Sequence, residues 1–348
     1  MAGQADSPPE GMRVGIGHVR QPDEERLGLF KQLGVDDVSL EFSTAPQMLA
    51  MNGFYKQKHE EKPVIESDDA GPVFPKLVQV RRWIEEEGLR LAAIEGFPGC
   101  STEPVMYGRE GFEAELERIK QAVRAVGRAD IPVLGYDWSP KGVGRTSVGK
   151  KWRGGAKVTA FDSRDLGTST AEGSSLSADE LWHNYERFLS EVLPVAEEVG
   201  VKLALHPNDP PVSDFDGTPL VHTTIDDFER TMDLVESPNH GINLGLGTWS
   251  ASTENVFDVI ERFGERDEIF YVHFRDVEGT VPSFHETFVD QGNYDTFEIL
   301  RALKAVEYDG ILIPDHVPQV AGDTDWGHRS RSFAVGYLRA ALDSLSEN

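Results

Sequence analysis

The chain has 348 residues, with 34 Lys+Arg against 60 Asp+Glu and a formal net charge of −26. So acidic a surface repels phosphate backbones and anionic lipid, which excludes nucleic-acid and membrane-surface binding as first readings. Hydrophobic residues make up 39% of the chain, enough apolar surface to exclude a disordered protein.

Residues 1–11 form a polar N-terminal tail without the basic and apolar regions of a signal peptide. Short apolar runs then alternate with helix-period segments. A first strand is predicted at Met12–Gly17, followed by a helix at Glu24–Leu33 that Gly34 ends. A second strand at Asp37–Phe42 precedes a helix at Phe74–Glu87, and a third at Leu89–Glu95 precedes one at Glu110–Arg128. The fourth strand, Ile131–Tyr136, leads to a helix at Ala178–Val199, where Ser177 caps the first turn with Glu180 three residues on. Strands five to eight read as Val201–His206, Gly241–Gly245, Glu268–Phe274 and Gly310–Asp315. Their helices are expected near Thr224–Val235, Thr253–Phe263, Tyr294–Val306 and Arg329–Leu345. Strands apolar on both faces, eight times over, predict an α/β protein whose residues 12–348 form one (β/α)8 TIM barrel. A doubly wound open sheet is the alternative, but Gly15-Ile16-Gly17 lacks the third glycine of a dinucleotide fingerprint.

Two insertions break the rhythm, residues 43–73 after strand two and 137–177 after strand four. Both leave from strand C-terminal ends, the face on which barrel active sites sit. The second carries Lys141, Arg145, Lys150, Lys151, Arg153, Lys157 and Arg164, a basic island that reads as a lid able to meet an anionic substrate. Such a lid would use Arg145, and strand seven Arg275, to hold a carboxylate in bidentate fashion.

The strand ends carry the chemistry. His206 ends strand five, His273 lies on strand seven before Arg275 and Asp276, Asp315-His316 ends strand eight and Glu95 ends strand three. Barrel closure brings such positions to one mouth, so His206, His273 and Asp315 are candidate ligands of a divalent metal. Imidazole and carboxylate ligands without thiolates favour Mn²⁺ or Fe²⁺ over Zn²⁺. His285 and Glu286 either line the site or cap the loop after strand seven. His18, His59, His183, His222, His240 and His328 show no comparable convergence and read as structural or exposed.

At these residues the sequence resembles the mannonate dehydratases, β/α barrels of the xylose-isomerase-like superfamily. The blocks that carry the likeness are PVAEEVGVKLALHPNDPP (194–211), YVHFRD (271–276), SFHE (283–286) and IPDHV (313–317). The resemblance implies His206, His273 and Asp315 as metal ligands and His316 as the proton-transfer group. It implies Arg275 and Glu95 as further catalytic residues, and Arg145, Asp276, His285, Glu286 and Asn243 around the substrate. Gly245 stands where the family has a ligating Cys, Ile313 where it has an Arg, and Ser332 near the place of a Tyr. Glycine cannot ligate, so water or a neighbour such as Asn243 would fill that gap. The implied reaction is loss of water from D-mannonate, a small sugar-acid substrate, to give 2-keto-3-deoxy-D-gluconate. An isomerase or epimerase on the same barrel, or a non-catalytic sugar-acid binder, are the rival readings. The dispersed acidic excess suggests a surface adapted to high salt. A single cysteine, Cys100, and no stretch near the roughly 18 apolar residues of a membrane span suggest a cytoplasmic protein, with homo-oligomer formation left open.

Overall fold

The structure, a computed structural model, describes residues 11–42, 64–65, 73–166 and 176–346. The N-terminal tail to residue 10, most of the 43–73 insertion and residues 167–175 of the second lie outside the described residues. Eight parallel strands close into a barrel: β1 (Arg13–Val19), β2 (Asp37–Glu41), β3 (Arg90–Glu95), β4 (Val133–Asp137), β7 (Lys202–His206), β10 (His240–Gly245), β11 (Ile269–Phe274) and β14 (Ile311–Pro314). Each is hydrogen-bonded to the next in chain order, and β14 pairs back to β1 through Arg13–Ile311 and Val14–Leu312. The fold is thus the (β/α)8 barrel expected from the repeated apolar runs, and the open-sheet alternative is excluded.

Helical period explains the outer layer. In α4 (Phe112–Arg128; after the short α1, α2 and α3 at Glu24–Gln32, Val73–Glu86 and Glu103–Met106), Leu116, Ile119, Val123 and Val126 recur at steps of three and four and are all buried. Each such side chain contributes roughly 1.5–3 kcal/mol when removed from water. The next helix, α5 (Ala178–Val199), has the expected Ser177–Glu180 capping box and ends at Gly200 with φ 70°. The barrel's interior holds a separate apolar cluster, with Ala93, Ala204, Tyr271, Ile311 and Ile313 among its members. Small residues make room there. A Cβ at Gly135 would overlap the Tyr271 hydroxyl, so glycine lets that ring cross the barrel and floor the space above it.

The second insertion, read from the sequence as a basic lid, contains regular β structure. Strands β5 (Ser147–Lys151) and β6 (Lys157–Asp162) form a hairpin, and β6 pairs antiparallel with β13 (Ser283–Glu286), itself paired with β12 (Val277–Thr280). This four-stranded sheet sits on the C-terminal mouth. Its basic residues are largely taken up within the chain: Arg153 pairs with Asp290, Arg164 with Asp162, and Lys150 Nζ lies 3.0 Å from His285 Nδ1. A short ribbon, β8 (Asp214–Phe215) with β9 (Thr218–Pro219), completes the β structure after β7.

Candidate active site

Strand register places the polar side chains in one layer. Glu41 lies opposite Glu95, Asp137 opposite His206, Gly245 opposite His273, and His273 opposite Ile313. All are at or next to C-terminal strand ends. They surround a cavity of about 180 Å³ whose wall includes His206, His273, Asp315, His316, Asn243 and Glu95. The three expected metal ligands therefore line one cavity: the His206 and His273 rings are 5.2 Å apart, and His273 Nδ1 is 3.8 Å from Asp315 Oδ2.

The hydrogen bonds leave this layer incomplete. His206 Nδ1 is 2.7 Å from the Pro207 carbonyl, to which it donates, so Nε2 carries the lone pair, and that buried Nε2 has no hydrogen-bond partner among the described residues. Asn243 Oδ1 and Tyr271 Oη are likewise buried without a hydrogen bond among the described residues. Orphaned buried polar atoms cost on the order of 1–3 kcal/mol each, and three of them around one cavity fit a ligand-binding site. Donor chemistry agrees: imidazole nitrogen and carboxylate oxygen suit a divalent cation. Burial drives the His206 imidazole down to about 3, helped by the neighbouring His273. Burial raises Glu95, but His273 and His18 outweigh it and hold this carboxyl below its ordinary value. Glu95 Oε1 accepts from His273 Nε2 at 3.0 Å and from Ser39 Oγ at 3.4 Å.

One residue that sequence reasoning set aside belongs here. His18 Nε2 lies 2.6 Å from Asp315 Oδ1, and its ring centre is 5.3 Å from that of His273. Burial lowers its proton affinity, but Glu95 and Asp315 prevail and raise it to about 9. The expectation that His18 is structural or exposed is corrected. No periodic signal marked it, because its inward turn depends on φ of 55° and a register shift between Ile16 and Val19. Glu41, Asp137 and Tyr271 also line the cavity and were missed. Burial, with Glu95 and Glu41 nearby, lifts the Asp137 carboxyl to about 6.

Beside this layer is a second, ion-paired one, of which Arg275 and Asp209 also reach the cavity wall. Arg275 donates to Asp315 (2.6 Å), Asp209 (2.5 Å) and Thr248 (2.9 Å), and Arg145 grips both oxygens of Asp209 at 2.7 Å and Glu286 at 2.5 Å. Burial alone would raise Asp209 and Glu286, yet the two guanidinium groups hold both carboxyls below their usual range. Asp209, Glu286 and His316 also cluster closely enough to hold an ion, but the arginines already supply the positive charge. Glu286 Oε1 further lies 2.8 Å from His316 Nδ1, and burial lowers the proton affinity of His316.

Arg145, Asp276, His285 and Glu286, expected around the substrate, are not in the cavity wall. Arg145 is spent on Asp209 and Glu286. His285 packs against Trp152 with ring centres 4.3 Å apart. Asp276 accepts from Ser250 Oγ and the backbone of Val277 and Tyr294, and burial raises it to about 7 against those bonds. Ser332 donates to the His328 carbonyl within the closing helix, α10 (His328–Ser346), after α6 to α9 at Ile225–Leu234, Leu246–Ala251, Val256–Gly264 and Thr296–Ala305. At Gly245 there is no side chain, and a Cβ would crowd His206 Nε2.

Comparison with known proteins agrees with this geometry. The family model described as D-mannonate dehydratase (UxuA) matches residues 62–174 and 168–348. The mannonate dehydratase of Streptococcus suis strain 05ZYH33 is 30% identical over 301 residues, 78% of this chain and 80% of the relative. That of Thermotoga maritima is 29% identical over 304 residues, covering 77% and 82%. The crystal structure of mannonate dehydratase from S. suis serotype 2 superposes with a TM-score of 0.82 at 25% identity, covering 97% of this chain and 95% of that one. A D-tagatose 3-epimerase-like protein shares the fold at a TM-score of 0.62 and 15% identity, over 97% and 99% of the two chains. With the family model spanning most of the chain and the barrel closed around a His–His–Asp layer, this protein belongs to the mannonate dehydratase family of hydro-lyases.

Proposed function

We propose that the chain removes water from D-mannonate to give 2-keto-3-deoxy-D-gluconate, with His206, His273 and Asp315 holding a divalent cation, Mn²⁺ or Fe²⁺. The observation that carries this reading is the unpartnered His206 Nε2 in a buried cavity whose wall also holds His273 and Asp315. When bound, the cation supplies Lewis-acid polarisation of the substrate's carboxylate and hydroxyl oxygens. The chain's own residues do the rest. Glu286 accepts the Nδ1–H of His316, which leaves Nε2 as the base, and burial keeps the ring neutral and ready to take the C2 proton. The C2–H and C3–O bonds break, hydroxide leaves with a proton as water, and the enol ketonises as C3 gains hydrogen. Arg275, fully engaged with Asp315 and Asp209, fixes the Asp315 carboxylate rather than gripping substrate. Glu95 orients His273 in the same manner. Asn243 faces the substrate, while Arg145, Asp276, His285 and Glu286 support the wall from behind.

Purified protein given D-mannonate with Mn²⁺, Fe²⁺ or Co²⁺ in high salt should yield periodate–thiobarbituric chromogen, which only a 3-deoxy-2-keto acid forms. Absence of chromogen with every metal overturns the reading. A second reading, a sugar epimerase or isomerase, is favoured by Glu41, Glu95 and Asp137 in the wall, since that many carboxylates suit an uncharged sugar. Product analysis separates the two. The spread of acidic residues supports a salt-adapted surface, and family membership supports a cytoplasmic setting.

A further inference from the structure

The geometry points to His18 as the ligand that replaces the side chain missing at Gly245, so that this centre is His18, His206, His273 and Asp315. The inference rests on the metal reading above and extends it to a strand on the other side of the barrel. Ligand atoms of His18, His273 and Asp315 all lie within 4.8 Å of one another. His18 Nε2 and Asp315 Oδ1 already face each other as an ion pair at 2.6 Å in the cavity wall. A cation bound there would displace the proton between them, since an imidazole ligates only when neutral. His206, outside that 4.8 Å group, lines the same cavity with an unpartnered Nε2 and would supply the third imidazole.

Each imidazole is also held from behind, as metal-binding histidines are. His206 Nδ1 is tied to the Pro207 carbonyl, and His273 to Glu95. His18 Nδ1 faces Glu41 at 3.8 Å, and Glu41 is itself fixed by Arg20 at 2.9 Å. The backbone of His18 is specialised for this. It occupies the left-handed region at φ 55°, inside the register shift of β1, and Trp326 Nε1 donates to its carbonyl at 3.0 Å. A non-glycine residue in that conformation is strained and persists where packing enforces it. Here the bend aims an imidazole at Asp315. Gly245 opposite contributes only space, because any Cβ there would press on His206 Nε2.

The test counts nitrogen ligands directly. In Mn²⁺-loaded protein, pulsed EPR should resolve three imidazole ¹⁴N couplings. His18→Asn, chosen because Asn tolerates positive φ, should show two and bind Mn²⁺ roughly 10-fold or more weakly. His183→Asn, at an exposed position on α5, should leave both unchanged. Two couplings in the parent protein overturn the assignment without any variant having to fold. So does parental Mn²⁺ affinity in His18→Asn while His206→Ala loses binding, which removes His18 but leaves the metal centre standing. A parent chain that binds no Mn²⁺ at all removes both.

Discussion

Two neighbouring layers of charge differ in how they use their polar atoms. Around the cavity, His206 Nε2 and Asn243 Oδ1 have no hydrogen bond among the described residues. A few ångströms away, Arg145 and Arg275 saturate Asp209 and bind Glu286, with every one of these side chains almost wholly buried. The first layer keeps donor atoms open to the cavity. The second spends its charges on internal ion pairs and builds the scaffold that aims the first. Proximity to a mouth and a charged head group do not by themselves make a residue touch substrate; what its donors are already doing decides.

Removing a member of each layer should therefore have opposite signatures. Arg145→Met leaves Asp209 and Glu286 short of a buried counter-charge, and should lower unfolding free energy by about 3–5 kcal/mol in urea titration. A loss confined to kcat with stability intact would break the comparison. His316→Asn removes the proposed base from the edge of the cavity. It should cut kcat by roughly 10²–10⁴-fold with little change in melting temperature, and near-parental turnover would dismiss His316. Gly245→Ala pushes a Cβ against His206 Nε2. It should cost about 1–3 kcal/mol by overpacking and weaken Mn²⁺ binding, both read from melts with and without the metal. A smaller and slower effect sharpens the contrast from a third place. His222 sits among Trp182, Tyr185 and Phe228 with neither ring nitrogen hydrogen-bonded, and burial lowers it to about 3. Its folded form is neutral, so between about pH 6.5 and 3 the unfolded chain binds the extra proton and stability falls as pH drops. His222→Phe should flatten that acid limb by up to about 1.4 kcal/mol per pH unit, measured by melts across pH 4–7.

Much of the barrel was legible because its signals are local. Eight apolar runs bounded by helix-period segments lie within a few residues of the observed strands, and the Ser177–Glu180 cap stands where it was expected. That His206, His273 and Asp315 share one cavity wall was legible because strand ends on one face must converge. Arg145 was misleading: its basic neighbourhood suggests a lid, but its partners Asp209 and Glu286 come from distant segments. The β5–β6 hairpin was hidden for a similar reason, since β6 finds its second partner in β13, far along the chain. His18 was hidden by its backbone. A left-handed residue at a strand irregularity leaves no alternation to read.

The pairing of β1 with β14 has one more consequence. These strands form the seam where the two ends of the chain meet, and His18 on one faces Asp315 just past the other. An ion gripped by both would act as a clasp across that seam, present only in the fully closed ring. Metal would then stabilise by mass action the one step that no half of the barrel can complete alone, and loss of the terminal strand or the initial one would abolish the clasp equally.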